Sequence, residues 1–438
     1  MAAAMIVQAS RMGMGSRAEQ WLLLVFLCGI LEGASRKWFL PEDPVEISYL
    51  VYLSKDIALA GLCVACPAQT PGPLTKGFAR FLGPGLLFLA AGGILSALIA
   101  VDWAGAFLTV RSLVVLPLLA YLAASRLYQV DATRIAGRIA CLTLIPAGLG
   151  LVQFELPPDH VLNRYIGAES ADAVITDLGR VRATGTFSFI SGMASMSLLG
   201  AWAGLFLQST AGSRRHLYWL GLAGILAGLV CAAAAVSRSG AVLAIGLLLG
   251  GFLFSNFKSR LLVLLLIIPV VLVRVGSEDD GLSDPPAALA TVVFQRHAQS
   301  DSIFDRATGH FEQLSTALRE TPLGNGFGIG QAGGAYVSTG RHQLRVHEGE
   351  LARIVTETGF LGVLGVLTIR LGVVLTLFSG WKYLPVSAER TGVFISALAV
   401  LFFLVRNTAF DHVASGFAWP LVALTLAWAD RQLTGLSS

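Results

Sequence analysis

Apolar residues run through this chain in blocks of about 20, the length a helix needs to cross the hydrocarbon of a bilayer. Twelve such spans are expected, near 19–35, 46–66, 81–100, 104–123, 135–154, 186–208, 216–236, 240–256, 259–275, 350–378, 388–405 and 411–429. The polar connections between them are short except at 155–185 and 274–350. The second of these organises the chain. It and the start of the next span hold Arg296, Arg306, His310, the glycine-rich run from Gly324 to Gly330, and then Arg341, His342, Arg345, His347, Glu348, Glu350, Arg353 and Glu357. Within it, Phe304, Ala307, Phe311, Leu314 and Leu318 recur at three- and four-residue spacing and predict an amphipathic helix over 302–319. Ser302 and Asp305 suit its start, and Arg306, His310 and Gln313 make a polar stripe beside the apolar face. The expected fold is an all-α polytopic membrane protein. Spans one to nine lie in 1–273 with a loop at 155–185, the large loop fills 274–350, and spans ten to twelve lie in 351–438.

Composition agrees: 55% of residues are hydrophobic and 13% charged, against about a quarter charged in soluble domains. Arg11, Arg17, Lys76, Arg80, Arg126, Arg134, Arg138, Arg214, Arg215, Lys258, Arg260, Lys382, Arg390 and Arg431 all fall on one side of a twelve-span chain. Basic loops stay in the cytoplasm, so both termini are expected there, and both long loops face outward. The cytoplasmic connections are too short for a nucleotide-binding βαβ unit of about 30 residues. A net charge of +4 spread over both sides does not point to nucleic acid. Cys28, Cys63, Cys66, Cys141 and Cys231 fall in or beside apolar spans and suggest neither a disulfide framework nor a zinc site. No cleavable signal peptide is expected, because the first span runs into Glu32 and Arg36 without a small-residue cleavage site.

Four motifs carry candidate chemistry. In Ser237-Arg238-Ser239-Gly240, small residues flank an arginine at the membrane rim, able to bind phosphate bidentately or simply to snorkel. In the run Arg180-Val181-Arg182-Ala183-Thr184-Gly185-Thr186-Phe187, two arginines stand where the 155–185 loop re-enters the membrane, suited to an anionic headgroup, specific or not. The glycine-rich run lacks the spacing of a phosphate-binding P-loop and suits a tight turn. His347-Glu348 precedes Glu350, Arg353 and Glu357, which share one helical face and suit an ion triad. A histidine or carboxylate beside that triad could take a proton from an attacking hydroxyl. Inside the spans, Glu32, Lys55, Asp56, Arg111 and Arg370 are functional candidates by cost alone, with pairing between spans the simpler role. Arg111 suits Asp56 or a phosphate.

Taken together, Arg182–Phe187, Ser237–Gly240, Arg306 ahead of Pro322-Leu323-Gly324-Asn325-Gly326, and Glu357-Thr358-Gly359 resemble the O-antigen ligase and polymerase family of bacterial envelope glycosyltransferases. The resemblance covers nearly the whole chain in order and sidedness. It implies a glycosyltransferase-C-like fold in the inner membrane and an undecaprenyl-pyrophosphate-linked oligosaccharide attacked on the periplasmic face. It further implies no metal or nucleotide, and association with the bilayer and with other polysaccharide-assembly proteins. Carried over by position, Arg238 and Arg306 would hold pyrophosphate, with Arg182 as a further contact and His310, Glu350, Arg353, Glu357 and Arg111 as accessory residues.

The chain departs from that pattern at the base. The family has His-Asn nine residues before the Glu of Glu-x-Gly; here Glu348 stands there, followed by Gly349, and His347 is one position early. Either an insertion keeps His347 as the base, or Glu348 replaces it, or the activity has changed. The rival function is a transporter or flippase of an anionic or sugar-bearing solute, which calls for broken helices at the bilayer midplane. A non-catalytic subunit of an exopolysaccharide assembly complex is a third.

Overall fold

The computed structural model describes residues 2–39, 45–165, 181–212, 214–254, 303–329, 349–406, 408 and 411–435. Among them, nine helices are long and apolar enough to cross a membrane, at Ser16–Phe39, Pro73–Ala97, Trp103–Ala124, Ala132–Glu155, Ile190–Thr210, Arg215–Ala234, Glu350–Tyr383, Ala388–Val405 and His412–Leu433. The protein is thus an all-α polytopic membrane protein. These nine fall on nine of the twelve expected spans. Two more expected spans are helical, as Val45–Ala65 and Arg238–Phe254. The span at 259–275 lies outside the described residues, as do 274–302 and 330–348 of the large loop.

The helices are numbered α1 (Ala2–Ala34), α2 (Val45–Ala65), α3 (Pro73–Ala97), α4 (Trp103–Val110), α5 (Leu116–Ala124), α6 (Ala132–Glu155), α7 (Ile190–Thr210), α8 (Arg215–Ala234), α9 (Arg238–Phe254), α10 (Ile303–Glu320), α11 (Glu350–Tyr383), α12 (Ala388–Val405) and α13 (His412–Leu433). Two π-helical turns, Ser35–Phe39 after α1 and Arg111–Val115 between α4 and α5, interrupt the α pattern. The chain divides into two units, one of residues 1–62, 129–300 and 383–403, the other of 63–128, 301–382 and 404–438.

In the first unit α7 packs against α6, α8 and α9. Its small residues allow this: a Cβ on Gly204 would come within 2.4 Å of the Gly221 carbonyl of α8, the close approach that membrane helices use in place of a hydrophobic driving force. Two in-span charges pair with each other, Lys55 Nζ donating to Glu32 at 2.5 Å. On α6, Asp131 caps the helix through the Thr133 and Arg134 amides. Near that end the buried Glu19 of α1 accepts Arg138 at 2.8 Å. From Arg134 to Gln153 the helix rises about 28 Å at 1.5 Å per residue, so its two ends serve opposite sides of the membrane.

In the second unit α13 packs on α3 and α5. The buried Asp430 of α13 caps α3, accepting the Leu74 amide at 2.7 Å, the Thr75 amide at 3.0 Å and the Thr75 hydroxyl at 2.6 Å. The expected amphipathic helix is α10. The expected single span at 350–378 is instead broken: Gly359 has φ 68° and ψ −168°, and arms 350–358 and 360–383 meet there. Arg370 donates through both terminal nitrogens to Glu350 at 2.7 Å. In one continuous helix these residues would lie about 30 Å apart. The short arm therefore doubles back along the long one, which places Glu350 level with the middle of arm 360–383.

Candidate functional site

Two constellations hold the expected residues, one in each unit. In the first unit the 181–188 segment is tied to the C-terminal end of α8. The Ala183 amide donates to the Ala234 carbonyl at 2.9 Å. Arg182 donates from Nε to the Ala235 carbonyl and from a terminal nitrogen to the Val236 carbonyl, each at 3.4 Å. Val236, with φ 48°, turns the chain; Ser237 Oγ then accepts the Gly240 amide at 3.2 Å, and Arg238 opens α9. Two arginine motifs more than fifty positions apart in the sequence are thus joined at one membrane end.

Gln153 and Lys37 hold the segment from beneath. Gln153 is fully buried; its Oε1 accepts the Thr184 and Gly185 amides at 3.1 and 2.7 Å, and its Nε2 donates to the Leu162 and Gly185 carbonyls at 2.6 and 3.1 Å. An amide that satisfies four backbone groups fixes the conformation of Gly185, which has φ 56°. Lys37, also fully buried, donates to Thr184 Oγ1 at 2.9 Å and to the Gly185 carbonyl at 2.8 Å, with Nζ 4.7 Å from the Trp38 ring centroid. Tyr165 donates to the Arg182 carbonyl at 2.7 Å. Burial pushes its phenol pKa up from the ordinary value, against a smaller downward pull from the Arg182 charge.

The second unit places α10 beside the break in α11. Gln313 Oε1 accepts the Gly349 amide at 2.9 Å, at the start of the short arm. The exposed His310 has Nδ1 3.2 Å from where a Cβ on Gly349 would sit. The polar stripe expected on this helix thus ends on the corner that follows His347 and Glu348 in the chain; those two residues lie outside the described residues. Arg306 is in the first turn of α10. The glycine-rich run makes the turn expected of it, with positive φ at Gly324, Gly326 and Gly328. It is pinned to the break by the Asn325 amide on the Thr356 carbonyl at 2.7 Å and the Phe360 amide on the Pro322 carbonyl at 2.9 Å.

The acidic members of the expected triad each have a partner, one across the break in α11 and one on α4. Glu350 takes Arg370, whose second contact is Thr408 Oγ1 at 2.7 Å; the buried Glu357 accepts from Thr109 of α4. Arg111, 3% exposed, meets His412 Nδ1 at 3.0 Å. Because a guanidinium only donates, that nitrogen is the acceptor and the imidazole proton sits on Nε2. Arg406 meets Asp411 at 3.8 Å. Arg111, Arg370, Arg406, Glu350, Glu357, Asp411 and His412 thus bring four elements of this unit to one polar zone.

Sequence reasoning missed Lys37, Gln153 and His412. Lys37 falls just beyond the expected first span at 19–35, although a basic pair beside Trp38 marks a helix end. A glutamine inside an apolar span was a signal for Gln153. For His412, the first residue of a span, there was none. A groove of about 970 Å³ between α1, α6 and α8 lies at the Arg134 end and contains no expected site residue. No protein-family model matches the chain, and no curated protein matches it.

Proposed function

We propose that this protein is an inner-membrane glycosyltransferase that polymerises or ligates glycan repeats carried on undecaprenyl pyrophosphate, working on the periplasmic face. The observation that carries the reading is that Arg182 bonds the Ala235 and Val236 carbonyls just ahead of the Ser237–Gly240 turn while Lys37 holds the neighbouring Thr184 and Gly185, which joins three distant cation-bearing segments of the sequence at one membrane end. An anionic lipid-borne substrate is what such a cluster suits. In the reaction, an acceptor sugar hydroxyl attacks the anomeric carbon, the bond to the pyrophosphate oxygen breaks, and the hydroxyl proton passes to His347 or Glu348. Negative charge collects on the leaving pyrophosphate, and fixed cations in a partly dry site stabilise it most in the transition state. An unperturbed glutamate, with pKa about 4.3, is the weaker base of the two.

A second reading, a carrier or flippase of an anionic or sugar-bearing solute, is favoured by one observation: the broken α11 with its Glu350–Arg370 pair level with the middle of the long arm. Half-helices of this kind line transport sites. The deciding experiment deletes the protein and complements with wild type, Arg238→Ala, Arg306→Ala, His347→Ala and Glu348→Ala, reading lipid-linked oligosaccharides by mass spectrometry. Accumulated single repeats identify a polymerase and long unligated chains a ligase, neither rescued by the arginine variants. Unchanged pools overturn the glycosyltransferase reading, and accumulation only in the inner leaflet supports the carrier.

A further inference from the structure

The 184–188 segment and the turn that holds it carry buried polar groups with no partner among the described residues. The hydroxyls of Thr186 and Ser188, 3% and 4% exposed, and the indole Nε1 of Trp38 are buried without a hydrogen-bond partner among the described residues. Trp38 adjoins Lys37, and Thr186 and Ser188 follow directly on the Thr184 and Gly185 groups that Lys37 holds. A Cβ on Gly33 would fall 2.4 Å from Phe187 Cα and the Ser188 amide nitrogen, so the end of α1 lies directly on this segment. Lys37 reaches Thr184 and Gly185 from the π-helical turn that also carries Trp38. An ammonium has three donors, and two are used here.

A buried hydroxyl left unpaired is destabilising, and buried polar groups are satisfied by protein, water or ligand in the great majority of cases. Three such groups on the two segments that Lys37 joins call for a common explanation. The chemistry of the set is one-sided. Lysine and the indole only donate, threonine and serine hydroxyls can both donate, and the described contacts of Lys37 include no carboxylate. A metal or cationic ligand finds no anionic partner among these four side chains. A phosphate, which offers only acceptors, matches every member.

We propose that Lys37, Thr186, Ser188 and Trp38 form an oxyanion cradle for a phosphate group of the lipid-linked substrate, on the segment that carries Arg182. The identity of that substrate rests on the glycosyltransferase reading; the binding of a phosphate does not. Charge-assisted hydrogen bonds of this kind are strong, and bonds to lysine and hydroxyls would add to what the arginines hold.

The test uses the full chain in nanodiscs of zwitterionic lipid, with undecaprenyl pyrophosphate and inorganic pyrophosphate as probes and binding followed calorimetrically. Thr186→Val with Ser188→Ala removes two hydroxyls that bond nothing among the described residues, so the melting point of the apo protein should hold or rise, while affinity for both probes falls about 3- to 10-fold. Lys37→Met should weaken both by about 10- to 100-fold. If Lys37→Met fails to fold, the hydroxyl pair still decides. Unchanged affinity in the pair overturns the cradle, and so does a loss of stability with affinity retained, which marks a water-filled structural site. Weakened probe binding in a protein whose deletion leaves lipid-linked pools unchanged keeps the cradle and removes the glycosyltransferase reading. Loss of undecaprenyl pyrophosphate binding alone, with inorganic pyrophosphate still bound as in wild type, places the defect in the lipid tail and likewise counts against the cradle.

Discussion

The doubling back of α11 is open to a thermodynamic test, because it brings together two charges that a continuous helix would hold about 30 Å apart. Glu350 and Arg370 are 8% and 12% exposed and share two hydrogen bonds of 2.7 Å. Neutralising either alone, as Glu350→Gln or Arg370→Gln, strands a charge in a site with little water. Breaking one partner of a buried pair costs about 3–5 kcal/mol. Removing both strands neither, so the double variant should lie well short of the sum. A coupling energy of about 2–3 kcal/mol is expected, at the upper end for contacting residues. Arg370→Lys should recover little of the loss, because an ammonium cannot reproduce the two-pronged contact. The assay is reversible unfolding of wild type, both singles and the double in mixed detergent micelles titrated with SDS. Additivity within about 0.5 kcal/mol, as for independent distant sites, would refute the fold-back and restore a straight span.

Three further outcomes are expected. Gly359→Ala puts a methyl into the left-handed region, 2.7 Å from the Pro322 oxygen and the Leu323 carbonyl carbon, and should cost about 2–5 kcal/mol from backbone strain and crowding; the control Gly83→Ala, with nothing within 4 Å, should lose nothing in the same thermal melts. Tyr165 has its folded pKa raised above an unfolded value near 10, so its contribution is intact below pH 10 and declines as pH rises beyond it; melting points from pH 8 to 11 should fall less steeply in Tyr165→Phe than in wild type, and parallel curves would contradict this. Asp430→Asn weakens three hydrogen bonds to the start of α3, an expected loss of about 1–3 kcal/mol, visible as faster hydrogen exchange at Leu74 and Thr75.

The spans were readable because period and length are local properties: an apolar block such as 190–210 forms a helix whatever surrounds it. The α10 helix was readable for the same reason, from the spacing of Phe304, Phe311 and Leu318. The break at Gly359 was quoted as a motif but not as a bend, since Glu-x-Gly reads equally well inside a straight helix; only the pairing of Glu350 with Arg370 distinguishes the two. The helical-face argument had placed Glu350 with Arg353 and Glu357, and it cannot anticipate a partner twenty positions on. Lys37 escaped because its value lies in what surrounds it: the Thr184 hydroxyl and Gly185 carbonyl are almost 150 residues away. Long-range convergence of this kind leaves no periodic trace in a sequence.

The π-helical turns at Ser35–Phe39 and Arg111–Val115 give Lys37 and Arg111 a common construction. A π turn accommodates one residue more than the α-helix it replaces, and one residue is about 100° of rotation. Each buried cation is therefore set in angular register by an extra residue, while the helix on either side keeps its own lipid-facing stripe. Shortening either turn by one residue would leave composition and hydropathy untouched and swing the charge out of its contacts toward the hydrocarbon. For this protein, a single deletion at 35–39 or 111–115 should be far more damaging than any conservative substitution of the residues it displaces.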